Sequence, residues 1–100
     1  MLHHEYYVYV IEARDRAGRP VLYVGQSGKT PEERLREHRH CKRYCRGCRC
    51  RHYAPHAARL RYELFARYNP IVDDRKHAEQ IERWLAARLR KRGYRVIGGH

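Results

Sequence analysis

Two short apolar runs open the chain, YYVYVIEA at residues 6–13 and VLYVGQ at residues 21–26, both rich in β-branched and aromatic residues. The polar segment between them carries the turn formers Asp15 and Gly18, so the three pieces read as a β-hairpin. TPEERLREH then opens a helix, with Thr30 as N-cap, Pro31 at the first helical position and Glu33 closing a capping box. Residues 55–68 place Leu60, Leu64 and Tyr68 at i, i+4 and i+8, which predicts a second helix stopped by Asn69 and Pro70. A third helix is predicted from about Asp74 to Lys91, closed by Gly93, and YRVI at 94–97 returns as a last strand. There is no internal repeat and no linker. The pattern predicts one α+β domain over residues 1–100: a small antiparallel or mixed three-stranded sheet flanked by about three helices, with an insert at about 40–56.

Alternate residues of a strand face the same way. Tyr7, Tyr9 and Ile11 share one face of the first strand, and Tyr6, Val8 and Val10 the other; Val21, Tyr23 and Gly25 share a face of the second. Tyrosine is an awkward residue to bury, because each hydroxyl needs a partner. For Tyr6 and Tyr7, strand formation and cross-strand pairing are reason enough. Tyr9 and Tyr23 are different: if they lie on the same side of the hairpin, two phenols stand close together beside Gly25, where the backbone can be approached closely.

Arg34 and His38 follow at i and i+4 on one face of the capped helix. That helix begins a few residues after Gly25, so its first turns must lie over the end of the hairpin. Two phenols, a guanidinium and an imidazole can then converge, a set able to orient a water and neutralise a phosphate. On the third helix, Ala78, Ile81, Leu85 and Leu89 form the core-facing stripe, and Glu82 lies only about 55° from its centre. A carboxylate there is costly unless paired. A buried salt bridge with one of the many arginines would pair it, as would a magnesium ion, which often takes one or two protein carboxylates and keeps its waters.

Charge narrows the partners. The chain carries 23 Lys and Arg against 11 Asp and Glu, a net charge of +12. Such an excess favours a polyanion, since neutralising phosphates releases counterions. The mean hydropathy of −0.98 and the short apolar runs predict a soluble, cytoplasmic chain that spans no membrane. The start, MLHHEYY, lacks the features of a signal peptide.

The insert reads HRHCKRYCRGCRCRH. Four cysteines, Cys41, Cys45, Cys48 and Cys50, fall within ten residues, and disulfides are not expected in a reducing compartment. Cys45 and Cys48 have the spacing of half a zinc site, which Cys41, Cys50 or His52 could complete as a structural Zn²⁺ knuckle; free thiols in a basic loop are the other reading. Lys42, Arg43, Arg46, Arg49 and Arg51, interleaved with Tyr44 and Tyr53, suit a nucleic-acid contact surface.

Taken in order, YVY at 7–9, YVG at 23–25, RLREH at 34–38 and AEQIERWL at 78–85 resemble the motifs of the GIY-YIG nuclease family. The resemblance covers residues 6–99 apart from the insert. Tyr7 stands where the family has glycine, and RGYRVIGGH lacks the asparagine that often follows the glutamate helix. The resemblance implies a metal-dependent endonuclease that hydrolyses DNA phosphodiester bonds, with RNA as the other candidate substrate. It implies that Tyr9, with Tyr23 or His38, orients or deprotonates the attacking water. Arg34 would hold the scissile phosphate, and Glu82 one Mg²⁺ or Mn²⁺ ion. Substrate choice would come from the insert or a protein partner. Two other classes compete: a catalytically silent nucleic-acid-binding module, which binds without cutting, and a zinc-stabilised interaction protein, whose binding would barely respond to salt.

Overall fold

The structure, a computed structural model, describes residues 4–14, 17–40 and 59–98. Along the chain run β1 (Glu5–Arg14), β2 (Pro20–Ser27), α1 (Pro31–His40), β3 (Arg59–Leu60), the single-turn α2 (Tyr62–Phe65) continued by a 3₁₀ turn (Ala66–Tyr68), β4 (Ile71–Val72), α3 (Arg75–Lys91) and β5 (Val96–Gly98). The sheet order is β3-β1-β2-β5, with β4 also paired to β1. β1 is antiparallel to β2, β3 and β4, whereas β5 is parallel to β2. This is the expected α+β domain with a mixed sheet and three helices.

Among the described residues the sheet has five strands rather than three, and the second helix, expected from residue 55, does not include residues 59–61; residues 55–58 lie outside the described residues. Both differences have one cause, the outer edge of β1. Leu60 is buried opposite Ile11 as a strand residue, and the Arg61 amide donates to the Val10 carbonyl at 2.9 Å. A helix beginning near residue 55 could not make those bonds. Leu64 and Tyr68 do pack on the core, as the spacing requires. Further along the same edge, Val8 N–H donates to Asn69 Oδ1 at 2.9 Å and Asn69 Nδ2 donates to the Val8 carbonyl at 2.7 Å. The Asn69 amide thus stands in for a strand residue between β3 and β4, satisfying backbone groups that would otherwise be unpaired. The two short strands carry no period-2 pattern long enough to be read in advance.

Val8, Tyr9, Val10 and Ile11 are each no more than 1% exposed. Neighbours that point to opposite faces are therefore both buried, so the sheet is covered on both sides, and β1 reads as a continuous apolar run. α3 is fixed at both ends. Asp74 caps it by accepting from the His77 amide at 2.9 Å. At its C-terminus Gly93 takes φ +95° and the Tyr94 amide returns to the Leu89 carbonyl at 3.1 Å, a Schellman closure. α3 thereby carries the chain back to place β5 beside β2. The cysteine-rich insert, with Cys41, Cys45, Cys48, Cys50, His52 and the basic residues Lys42, Arg43, Arg46, Arg49 and Arg51, lies outside the described residues.

Candidate active site

The hairpin register places Tyr9 opposite Gly25 and Ile11 opposite Tyr23, so Tyr9, Tyr23 and Gly25 share a face. The two phenol rings stack with centroids 6.2 Å apart and planes 21° apart. The group that approaches the backbone at Gly25 is Tyr9 itself. A Cβ added to Gly25 would fall 2.4 Å from the Tyr9 hydroxyl oxygen. Tyr9 is 1% exposed, so its ring is enclosed by its neighbours. Gly25→Ala is therefore expected to destabilise the fold by about 1–3 kcal/mol through overpacking, read by thermal or denaturant unfolding. Unchanged stability would mean that the ring swings aside freely.

α1 brings two more groups to this face. Its start is set by Thr30, whose Oγ1 accepts from the Glu33 amide at 3.2 Å. One turn later Arg34 Nε donates to the Tyr9 hydroxyl at 3.4 Å, while Nη1 donates to Glu37 Oε2 at 2.6 Å. Glu37 is also bonded by Lys29 from the β2–α1 connection. Burial pushes the Tyr9 phenol up to about 12; the Arg34 charge and hydrogen bond oppose this, and Tyr23 and Glu82 add to it. Tyr9 is accordingly a neutral phenol at pH 7.

His38, one further turn along α1, is 5% exposed and packs its ring 4.9 Å from Tyr23 and 6.4 Å from Tyr9. Its Nε2 is buried with no hydrogen-bond partner among the described residues. Burial, helped by the Arg34 charge and opposed by Glu37, lowers its pKa from 6.5 to about 4. The imidazole is therefore neutral at pH 7. The unfolded chain holds that proton more tightly than the folded one. The stability His38 contributes is thus complete above pH 6.5 and is lost as pH falls through about 4. His38→Gln is expected to flatten the fall in unfolding free energy over this window, on the order of 3 kcal/mol. Denaturant melts at several pH values check it, and parallel pH profiles for the two proteins would contradict it.

Glu82 comes from α3 and is half-buried. The buried residues of that helix are Ala78, Leu85, Ala86 and Leu89, with Ile81 only partly covered. The burial of Ala86 moves the centre of the stripe toward Glu82, to within about 20° at ~100° per residue. The Glu82 carboxylate raises the Tyr9 pKa, so it lies within electrostatic range of that phenol. Tyr9, Tyr23, Arg34 and His38 thus meet at one end of the hairpin, and Glu82 acts on Tyr9 from α3. Glu37 joins the cluster through its ion pair with Arg34, and its i,i+3 spacing from that arginine is an ion-pair signal present in the sequence.

Among the described residues, no three His, Cys, Asp or Glu groups gather as a metal cage. Glu82, a half-buried carboxylate, could serve as one ligand of a divalent cation that keeps most of its waters. No helix of the described residues is long and apolar enough to cross a membrane.

Residues 6–100 match the T5orf172 domain, a nuclease-associated domain. No curated protein and no solved structure matches the chain.

Proposed function

We propose that this chain, which belongs to the T5orf172 domain family, is a metal-dependent endonuclease of the GIY-YIG type that hydrolyses DNA phosphodiester bonds. The observation that carries the reading is the buried His38 Nε2, without a hydrogen-bond partner among the described residues and set beside two phenols and a guanidinium. A buried polar atom with no partner costs about 1–3 kcal/mol. A cluster that retains such an atom is arranged for a ligand that arrives from outside.

In this mechanism Arg34 holds the scissile phosphate and meets the negative charge that develops as water attacks phosphorus. Tyr9 is pinned by Arg34 and by the Gly25 backbone, and it orients the attacking water as a neutral phenol. With its pKa near 12, only roughly one Tyr9 in 10⁵ is phenolate at pH 7. His38 is already unprotonated, and Nε2 accepts the proton of the water; an approaching phosphate makes that nitrogen more basic. Tyr23 packs against the imidazole and fixes its plane. Glu82 would hold the Mg²⁺ or Mn²⁺ ion, which when bound supplies positive charge for the leaving oxygen. Cleavage of linear and branched DNAs by the purified protein, with Mg²⁺, Mn²⁺ or EDTA, tests the proposal. DNA bound in every condition and cut in none would leave the silent binding module.

A further inference from the structure

On its outward side α3 carries His77, Gln80, Trp84, Ala87, Arg88 and Lys91, all exposed. At ~100° per residue these span about 100° of the helix, and its two acids, Glu79 and Glu82, lie at least about 130° from the centre of that face. Trp84 is 47% exposed in the middle of it. The indole is held in place: the Tyr68 ring meets it edge-on at 5.7 Å and 79°, and the Arg88 guanidinium stands 5.4 Å from its centroid. Arg67 in turn stands 5.2 Å from the Tyr68 ring. Two exposed arginines, a lysine and a fixed indole, with neither acid of α3 on its outward face, form a cationic aromatic platform on the side of α3 away from Glu82.

We propose that this platform binds unpaired nucleotides, with a base stacked on Trp84 and flanking phosphates met by Arg88, Arg67 and Lys91. The charge selects a polyanion. The indole selects one with flat aromatic groups free to stack, which a paired duplex does not offer. Tyr68 and Arg88 hold the indole before binding, so little side-chain freedom is lost when a base docks. The inference shares with the proposed function only the choice of nucleic acid as partner, and it needs no cleavage.

Trp84 is the only tryptophan of the chain, so its fluorescence reports directly on the site. The protein is titrated in EDTA with an oligothymidylate of about 12 nucleotides, a duplex of equal length and an acidic peptide. The oligothymidylate should quench Trp84 at lower concentration than the duplex, and the peptide should not quench it. By anisotropy of a labelled oligothymidylate, Trp84→Ala should weaken binding about 5- to 150-fold, the range for one stacked base. Trp84→Phe should recover part of the loss. Arg88→Gln should lower the salt slope by about one. No quenching together with unchanged affinity in Trp84→Ala would overturn the proposal, as would equal quenching by the peptide, which would assign the face to a protein partner. Quenching without any cleavage in Mg²⁺ would count against the nuclease reading alone, whereas cleavage with Trp84 unresponsive would count against this site alone.

Discussion

Glu82→Ala is expected to reduce Mg²⁺-dependent DNA cleavage by about 10³-fold or more while DNA affinity stays within about twofold. The two effects separate because they rest on different groups. On the proposed reading affinity comes from an excess of positive charge, 23 basic against 11 acidic residues, and the loss of one carboxylate would not weaken it. In the proposed mechanism chemistry depends on the Glu82 carboxylate near the centre of the buried stripe of α3, within electrostatic range of Tyr9. A carboxylate at that position costs desolvation, which a bound cation would help to offset. Glu82→Gln keeps the shape and removes the charge, so it should fail as alanine does, and a melting curve shows whether either variant is folded. Cleavage and anisotropy assays on the same DNA read both quantities. Wild-type activity in both variants would end the proposed role, and so would full wild-type activity in EDTA. If DNA binding by the wild type barely responds to salt, the interaction-protein reading gains instead.

The parts of this molecule legible in its sequence are those governed by local rules. The hairpin faces followed from period-2 alternation, and the register does put Tyr9 and Tyr23 on one side with Gly25. The start of α1 followed from Thr30 and its capping bond, and the end of α3 from Gly93 at positive φ. The misread parts are governed by contacts distant in the chain. Residues 60, 64 and 68 carry a helical period, yet Leu60 answers to the unpaired edge of β1, forty-nine residues earlier, and its neighbours follow. Asn69 reads as a helix stop and is one, but its amide also completes the β1 edge through two hydrogen bonds that local spacing does not reveal. At the candidate site, sequence indicated which groups could converge. It could not indicate that Gly25 seats the Tyr9 ring, or that His38 is buried deeply enough to lose its proton above about pH 4. Those depend on side-chain packing in three dimensions. The stripe of α3 was read from Ala78, Ile81, Leu85 and Leu89; Ala86, too small to signal burial by its hydropathy, moves its centre toward Glu82.

Arg34→Ala is expected to slow cleavage by about 10²- to 10³-fold, and Arg34→Lys should recover little of it. The lysine keeps the charge, so a point-charge requirement would be met. The geometry asks for more. Arg34 uses Nε for the Tyr9 hydroxyl and Nη1 for Glu37. The planar fork therefore fixes the phenol and is itself oriented by a carboxylate before any phosphate arrives. A lysine ammonium has one nitrogen, which cannot hold Tyr9, engage Glu37 and present two parallel donors to phosphate oxygens. Glu37 offers it a ready ion pair one turn away, which would draw the charge off the reaction centre. The loss should fall on kcat more than on KM, because the bidentate contact strengthens as charge develops on the phosphoryl oxygens. Glu37→Gln separates the two functions: the guanidinium keeps its charge and its bond to Tyr9 but loses its orienting carboxylate, so a smaller loss in kcat of about tenfold is expected. Near-normal turnover in Arg34→Lys would show that positive charge alone suffices at this position, and the Tyr9–Arg34 contact would then be a matter of packing.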